Sequence, residues 1–446
     1  MTDINLLFVA CAGIALLLFL VIYMRTPAFL ALIVTSLAVG LLSGLPPEQV
    51  LSSIKNGMGG TLGFVAIVVG LGAILGQILE SSGGVEQISN TLIKTFGKEK
   101  IQWSLGLTGF LVAIPVFFDV AFIILVPVLY GLANKSGRSL LYYAIPLLAG
   151  LAITHAFIPP TPGPIAVAEL IHADLGWVIL FGAIAGLPAM IVAGPLFGKF
   201  IAQRIHVPVP LAHQHHQGEV DENQLSFLWV ISIVLLPLIL IMSATLSPFL
   251  FSPGSDAYIV LNFLGHPFVA LTLATVFAML VANKKCRLGK QALLDIANKG
   301  LEPAGVVILI TGAGGAFKEL LVDSGVGRVL AETLIDAQFP IIILGFLIAA
   351  VTRIAQGSST VAMITAAGLI GPMLELSPMS AASLGVLVIA ISSGATILSH
   401  VNDSGFWLVS RYLGMDEKDT LKSWTVMTTL ISLTGLASCI VLSLFV

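Results

Sequence analysis

Nine consecutive residues, Ser399-His400-Val401-Asn402-Asp403-Ser404-Gly405-Phe406-Trp407, set an imidazole, an amide, a carboxylate and two hydroxyls directly after the apolar run Leu384 to Leu398. That run has the make-up of a membrane helix. An ionisable side chain at bilayer depth costs about 2.5–3.5 kcal/mol on insertion scales, so such residues face a cavity and do a job there. Irregular backbone at that depth is tolerated only where protein or water covers its open N–H and C=O groups. The chemistry these groups support is proton exchange and hydrogen bonding to a polar solute. Asp403 is the first candidate for reversible protonation, because a carboxyl removed from water keeps its proton to higher pH. Its plainer reading is a cap for the helix that restarts after the break.

Three other stretches carry comparable groups. In Ile114-Pro115-Val116-Phe117-Phe118-Asp119-Val120 a proline interrupts an apolar segment beside a carboxylate, and Asp119 either shares the proton role or caps the second half-helix. The run Arg353-Ile354-Ala355-Gln356-Gly357-Ser358-Ser359-Thr360 combines a glycine with three hydroxyls. Opening a helix there gives free N–H groups and a positive dipole end, which suits an anion. Ser358, Ser359 and Thr360 bind a carboxylate on this reading, or else only satisfy the turn. Arg353 pairs with an anionic solute or with a membrane acid such as Asp119. The third stretch holds His155, followed by Pro159-Pro160-Thr161-Pro162-Gly163-Pro164, through which no continuous helix passes. The candidate set is therefore Asp119, His155, Thr161, Gly357, Ser358, Ser359, Thr360, His400, Asn402 and Ser404 for the solute, with Asp403 and Asp119 for the proton.

The elements that must position these groups are membrane helices. Of 446 residues 57% are hydrophobic and only 10% charged, against about 25% charged in soluble domains. The expected spans begin at Leu6–Met24, a retained helix and not a signal peptide, and Ala28–Leu45. Gly59–Leu79 follows, glycine-rich and suited to close helix packing, then Gly176–Phe200. Leu225–Ser247, His266–Ala282, Gly305–Leu321 and Trp424–Val446 belong to the second half.

The chain repeats itself. Asn56, Gly63, Gly70, Gly72, Leu79 and Gly83 recur 242 positions later as Asn298, Gly305, Gly312, Gly314, Leu321 and Gly325. Thr154-His155 answers Ser399-His400, and Pro127 answers Pro372. Equivalent loops carry opposite charge character. Lys94, Lys98 and Lys100 in 81–102 face only Arg328 against Asp323, Glu332 and Asp336 in 323–340; Lys55 in 46–57 faces five basic residues in 283–299. Since Lys and Arg prefer the cytoplasmic side, the halves are inverted repeats, an architecture common in secondary transporters. The expectation is an all-α polytopic protein. Residues 1–206 form one repeat, with a re-entrant hairpin at 103–132 and a broken helix at 140–173. Residues 207–224 are a linker. Residues 225–446 form the second repeat, with a hairpin at 341–374 and a broken helix at 384–413. That makes ten crossings plus two hairpins, both termini being periplasmic.

Other classes find little support. No Walker motif, zinc spacing, G-x-S-x-G or dinucleotide loop occurs, so neither an enzyme nor a cofactor is expected. The net charge of −3 without a basic patch argues against nucleic acid. Cys11, Cys286 and Cys439 lie far apart and suggest no metal site or disulfide. His213, His215 and His216 in the linker read as a solvated loop, with a metal role as the alternative. A facilitative channel fits the inverted repeat less well than alternating access does, and a membrane sensor lacks a soluble output domain.

With these residues the chain resembles the gluconate permease (GntP) family of proton symporters. The resemblance runs along essentially the whole sequence, carried by G-G-T-L-G at 59–63, G-A-G-G-A-F-K at 312–318, V-D-S-G-V-G at 322–327, Q-G-S-S-T-V-A at 356–362 and S-H-V-N-D-S-G-F-W at 399–407. It implies proton-coupled uptake of gluconate or a related sugar acid across a bacterial inner membrane. It also implies a homodimer whose transport domain moves as an elevator against a scaffold. At the proposed site the chain departs from the family pattern. It has F-F-D-V where F-F-E-V is common, Q-G-S-S-T where G-S-A-T is usual, and P-P-T-P-G-P where several relatives have a histidine at the Thr161 position. Other hydroxy-carboxylates, D-serine and sodium coupling therefore stay open beside gluconate and protons.

Overall fold

A computed structural model describes residues 3–97, 99–210, 225–326, 329 and 340–446, and every regular element among them is a helix. The first half runs α1 (Asp3–Leu18, prolonged by a π-helical turn to Tyr23), α2 (Ala28–Leu42), α3 (Pro47–Ser81) and the short amphipathic α4 (Gly84–Phe96). Then come α5 (Ile101–Val112), α6 (Phe118–Ser136), α7 (Leu141–Phe157) and α8 (Pro162–Leu170). α9 (Leu175–Ile191) continues through a π turn into α10 (Phe197–Ala202).

The second half runs α11 (Phe227–Leu250), α12 (Asp256–Gly265), α13 (Pro267–Lys285) and α14 (Lys290–Asp323). Next are α15 (Ile341–Gln356), α16 (Ser359–Leu376), α17 (Ala381–Gly394) and α18 (Ser404–Leu413). The short α19 (Glu417–Thr420) leads through a π turn into α20 (Val426–Leu442). Among the described residues, eight helices are long and apolar enough to cross a membrane. Large apolar side chains such as Phe8, Leu228, Phe249 and Leu250 are exposed on the outer surface, as a lipid-facing surface requires.

Several boundaries differ from the sequence expectation. The polar stretches 46–57 and 283–299, read as connections, are mostly helix, because α3 starts at Pro47 and α14 at Lys290. Proline at the first helical position and Glu48 in the first turn suit a helix start, whereas hydropathy detects only the part that lies in hydrocarbon. α12 fills a gap in which no helix was expected. The linker's first residues are tied down: the Leu140 N–H donates to the Val207 carbonyl at 2.8 Å, and the Val207 N–H to Ser139 Oγ at 3.0 Å. His213, His215 and His216, like Arg328, Glu332 and Asp336, lie outside the described residues.

α3 and α14 form the spine. Each has over 30 residues, 35 and 34 respectively, and they run antiparallel in close contact. A Cβ at Gly57 would strike the Gly315 carbonyl, and one at Gly300 would meet the Ala73 carbonyl at 2.8 Å. Small residues allow this approach of backbone to backbone. α3 also receives both breaks of the first half. A Cβ at Gly76 would land on the Pro115 carbonyl oxygen, and one at Gly72 would lie 3.2 Å from Pro160. Glycine here is a spacing requirement, set by what must come near.

Candidate functional site

Two interrupted helix pairs set the site. Between α5 and α6 the chain breaks at 113–117, and between α15 and α16 at Gly357 and Ser358. At about 1.5 Å per residue, the 12 residues of α5 reach about 18 Å and the 16 of α15 about 24 Å, both short of a core about 30 Å thick. Gly357 ends α15 with φ +86°, a left-handed conformation natural to glycine, and a Cβ there would collide with the Asn402 carbonyl. Ser358 then caps α16 by accepting from the Val361 N–H at 3.4 Å.

The breaks open onto a cavity of about 430 Å³, within the about 300–1,000 Å³ range of small-ligand pockets. Its wall takes Asp119 from the start of α6, His155 from α7, Arg353 and Gln356 from the end of α15, and Gly357 to Thr360 from the second break. Thr396, Asn402, Asp403, Ser404 and Gly405 come from the break between α17 and α18, and Trp424 and Thr428 from the last helical segment. The helix N-termini of α6, α16 and α18 all point their first turns at this space, and α16 brings the Ser359 and Thr360 hydroxyls with it.

Asp403 and Arg353 hold one wall together. Arg353 Nη2 forms an ion pair with Asp403 Oδ2, and Nη1 donates to the Gly357 carbonyl. Asp403 also accepts from Ser399 Oγ, and from the Gly405 N–H at 3.1 Å as the cap of α18. Trp424 Nε1 donates to Ser399 Oγ at 2.6 Å, extending the network into the last helix. Arg353 is 5% exposed and Asp403 9%, so each charge depends on the other for compensation. The sequence left Arg353 to pair with an anionic solute or with a membrane acid such as Asp119; the partner is a membrane acid, and it is Asp403. Among the described residues Asp119 has no hydrogen bond or ion pair, and its side chain is exposed to the cavity. Three polar atoms of residues in the wall, His155 Nδ1, Arg353 Nε and Gln356 Oε1, are buried with no hydrogen-bond partner among the described residues.

Two expected residues stand apart from the cavity. Thr161 turns its hydroxyl back to the Ile158 carbonyl at 2.7 Å and faces a small gap beside Gly72 and Pro115. The His400 ring contacts the Ile354 carbonyl at 2.9 Å, which also accepts from Asn402 Nδ2 at 2.9 Å; both side chains fasten α15 to the α17–α18 break. Trp424, Thr396, Thr428 and Gln356 line the cavity without having been expected. Gln356 belongs to the Q-G-S-S-T-V-A string at 356–362; the others stand at the ends or in the body of helices with no local signal.

A family model described as GntP family permease matches residues 4–445. The chain belongs to the GntP permease family. The permease is 42% identical over 438 residues to the low-affinity gluconate transporter of Escherichia coli K12, covering 98% of this chain and 97% of that one. It is 40% identical over 448 residues to the gluconate permease of Pseudomonas aeruginosa, with 99% and 98% covered. Its fold is similar to that of the YdaH transporter of Alcanivorax borkumensis, at a TM-score of 0.66 over 94% of this chain and 98% of that one, with 15% identity. The permease is a multi-pass membrane transporter and not an enzyme.

Proposed function

We propose that the permease imports gluconate or a closely related sugar acid together with protons. The observation that carries this is one cavity holding an anion-suited helix start next to an arginine, and a separate carboxylate, Asp119, with no ion pair among the described residues. The substrate carboxylate sits against the first turn of α16, with Ser359 and Thr360 and with the Arg353 guanidinium close by in the same wall. Asn402, Ser404, Gln356 and His155 read the polyol hydroxyls. Asp403 is already neutralised by Arg353, so it acts as the strut of the wall. Asp119 carries the proton: ionised, it repels the incoming anion; protonated, it accepts it. Proton and substrate then travel together because each lowers the cost of the other's presence.

The family relatives named for gluconate support the substrate class. The ordered recurrence of a long helix, a hairpin, a broken helix and a closing helix in 1–206 and 225–446 supports two inverted repeats. In this reading the hairpins, broken helices and closing helices form a body that slides against α3 and α14. A homodimer in the bacterial inner membrane, with both termini periplasmic, completes the proposal. The termini follow from the basic loops and the dimer from the family resemblance.

Uptake of labelled gluconate into proteoliposomes, with an imposed pH gradient and without one, tests the proposal. Accumulation above equilibrium only with the acid side outside is the expected result. Uptake that follows a sodium gradient and ignores pH would overturn the coupling, and uptake that never exceeds equilibrium would make the protein a channel.

A further inference from the structure

A second polar recess lies away from the transport cavity. It is a cleft of about 500 Å³ lined by Arg138, Ser139 and Tyr142 at the α6–α7 turn and by Lys199, Gln203 and His206 at the end of α10. No acid among the described residues lines it, and the sequence has no Asp or Glu between Val120 and Ala168 or between Leu175 and Gly218. The cleft is also built, being more than a meeting of mobile side chains. Ser139 Oγ donates to the Ile205 carbonyl at 2.9 Å and accepts from the Val207 N–H at 3.0 Å, locking the turn to the strip that follows α10. The Arg138 guanidinium lies 4.7 Å from the Tyr142 ring centre, which holds it over the recess.

Its depth in the membrane follows from the same helix. Leu196 and Phe200 are 57% and 46% exposed on the outer surface, within one turn of Lys199. Arg204 then closes over the Phe200 ring at 3.8 Å. Apolar side chains open to lipid, followed within two turns by cations and an aromatic, mark the level of the polar headgroups. A basic recess between helices at that level has the chemistry to receive a phosphate.

We propose that this cleft binds a phosphate group, that of an anionic phospholipid whose acyl chains lie along Leu196 and Phe200. Arg138 gives two parallel N–H donors to the phosphate oxygens, Lys199 a point charge, and Tyr142 and Gln203 neutral donors. The turn it would brace joins the first hairpin to the first broken helix, so occupancy fastens the part of the protein that carries Asp119 and His155.

The test uses purified full-length permease in nanodiscs of phosphatidylcholine, with phosphatidylglycerol or inorganic phosphate added separately. The readouts are co-purified lipid by native mass spectrometry and the midpoint of thermal unfolding. Phosphatidylglycerol is expected to be retained and to raise the midpoint, and inorganic phosphate to do neither at equal concentration. Removing the charges in Arg138→Gln/Lys199→Gln should weaken retention about 25-fold, at about fivefold for each cation near the surface. The charge-conserving Arg138→Lys/Lys199→Arg should keep most of it. Protection by inorganic phosphate equal to that of the lipid would keep the phosphate site but overturn the lipid source. Undiminished retention in the Gln variant, with gluconate uptake proving that it folds, would overturn the site.

Discussion

Replacing Asp119 by asparagine isolates the step on which coupling depends. The cavity of about 430 Å³ has the volume of a sphere about 9 Å across, so about 9 Å serves as a representative separation between a substrate carboxylate inside it and the Asp119 carboxylate. Two unit charges at that separation repel by about 1.8 kcal/mol at an effective dielectric constant of about 20, and more if closer. Arg353 is already paired to Asp403, and among the described residues Asp119 has no ion pair of its own to offset this repulsion. Ionised Asp119 should therefore weaken anion binding about 20-fold relative to its neutral form. The assay is equilibrium binding of labelled gluconate at pH 5.5 and pH 8.5, with counterflow and gradient-driven uptake measured on the same preparation. The parent should bind about 20-fold more weakly at the higher pH. Asp119→Asn should bind with the acid-side affinity at both, still exchange substrate in counterflow, and fail to accumulate it from a pH gradient. A variant that kept the parent's pH dependence and its gradient-driven accumulation would refute the assignment.

Three other outcomes follow from the same geometry. Arg353→Gln leaves Asp403 buried without its cation and should cost about 3–5 kcal/mol of stability. The double change Arg353→Met/Asp403→Leu should regain much of that in a thermal melt while transport stays lost. Gly357→Ala places a Cβ against the Asn402 carbonyl at a left-handed position, itself worth about 1–2 kcal/mol. It should lower uptake at least tenfold, whereas Gly131→Ala, with open space around it, should not. His172 lies beyond the end of α8, where partial burial and the Lys318 ammonium hold its imidazole below the usual 6.5 and Glu375 pulls the other way. Since the unfolded chain takes up that proton first, stability is full above about pH 6.5 and declines as the pH falls. The melting temperature should drop from pH 7.5 to 5.5, and His172→Gln should flatten part of that slope.

Much of this was legible in the residues. Pro115 and the Pro159–Pro164 run announced the first two breaks, and Gly357 with its hydroxyls announced another, because each removes a backbone bond or supplies a conformation that a helix cannot use. The partner of Arg353 was not legible. Asp403 is 50 positions away and Asp119 is more than four times as far, yet only the angle at which α18 restarts decides which acid arrives. The same limit applies to His400, whose neighbours Asn402 and Asp403 reach the cavity while its ring turns to the Ile354 carbonyl. One residue of rotation at a break redirects a side chain wholly, and no pattern of residue types records that rotation. Trp424 was invisible for another reason: it enters through an indole N–H bonded to Ser399, from a helix that reads as ordinary apolar sequence.

The bare stripe at Gly72 and Gly76 bears on how the protein wears change. Where these two residues touch Pro160 and Pro115, the α3 side has no side chain to interlock: Gly76 lies against the Pro115 main chain, and Gly72 against the Pro160 carbonyl and ring. If the proposed sliding against α3 takes place, such a seam would serve as its bearing, with no α3 side chain to unhook there before it shifts. Any side chain added there would act as a brake, slowing turnover while leaving the substrate's affinity as it was.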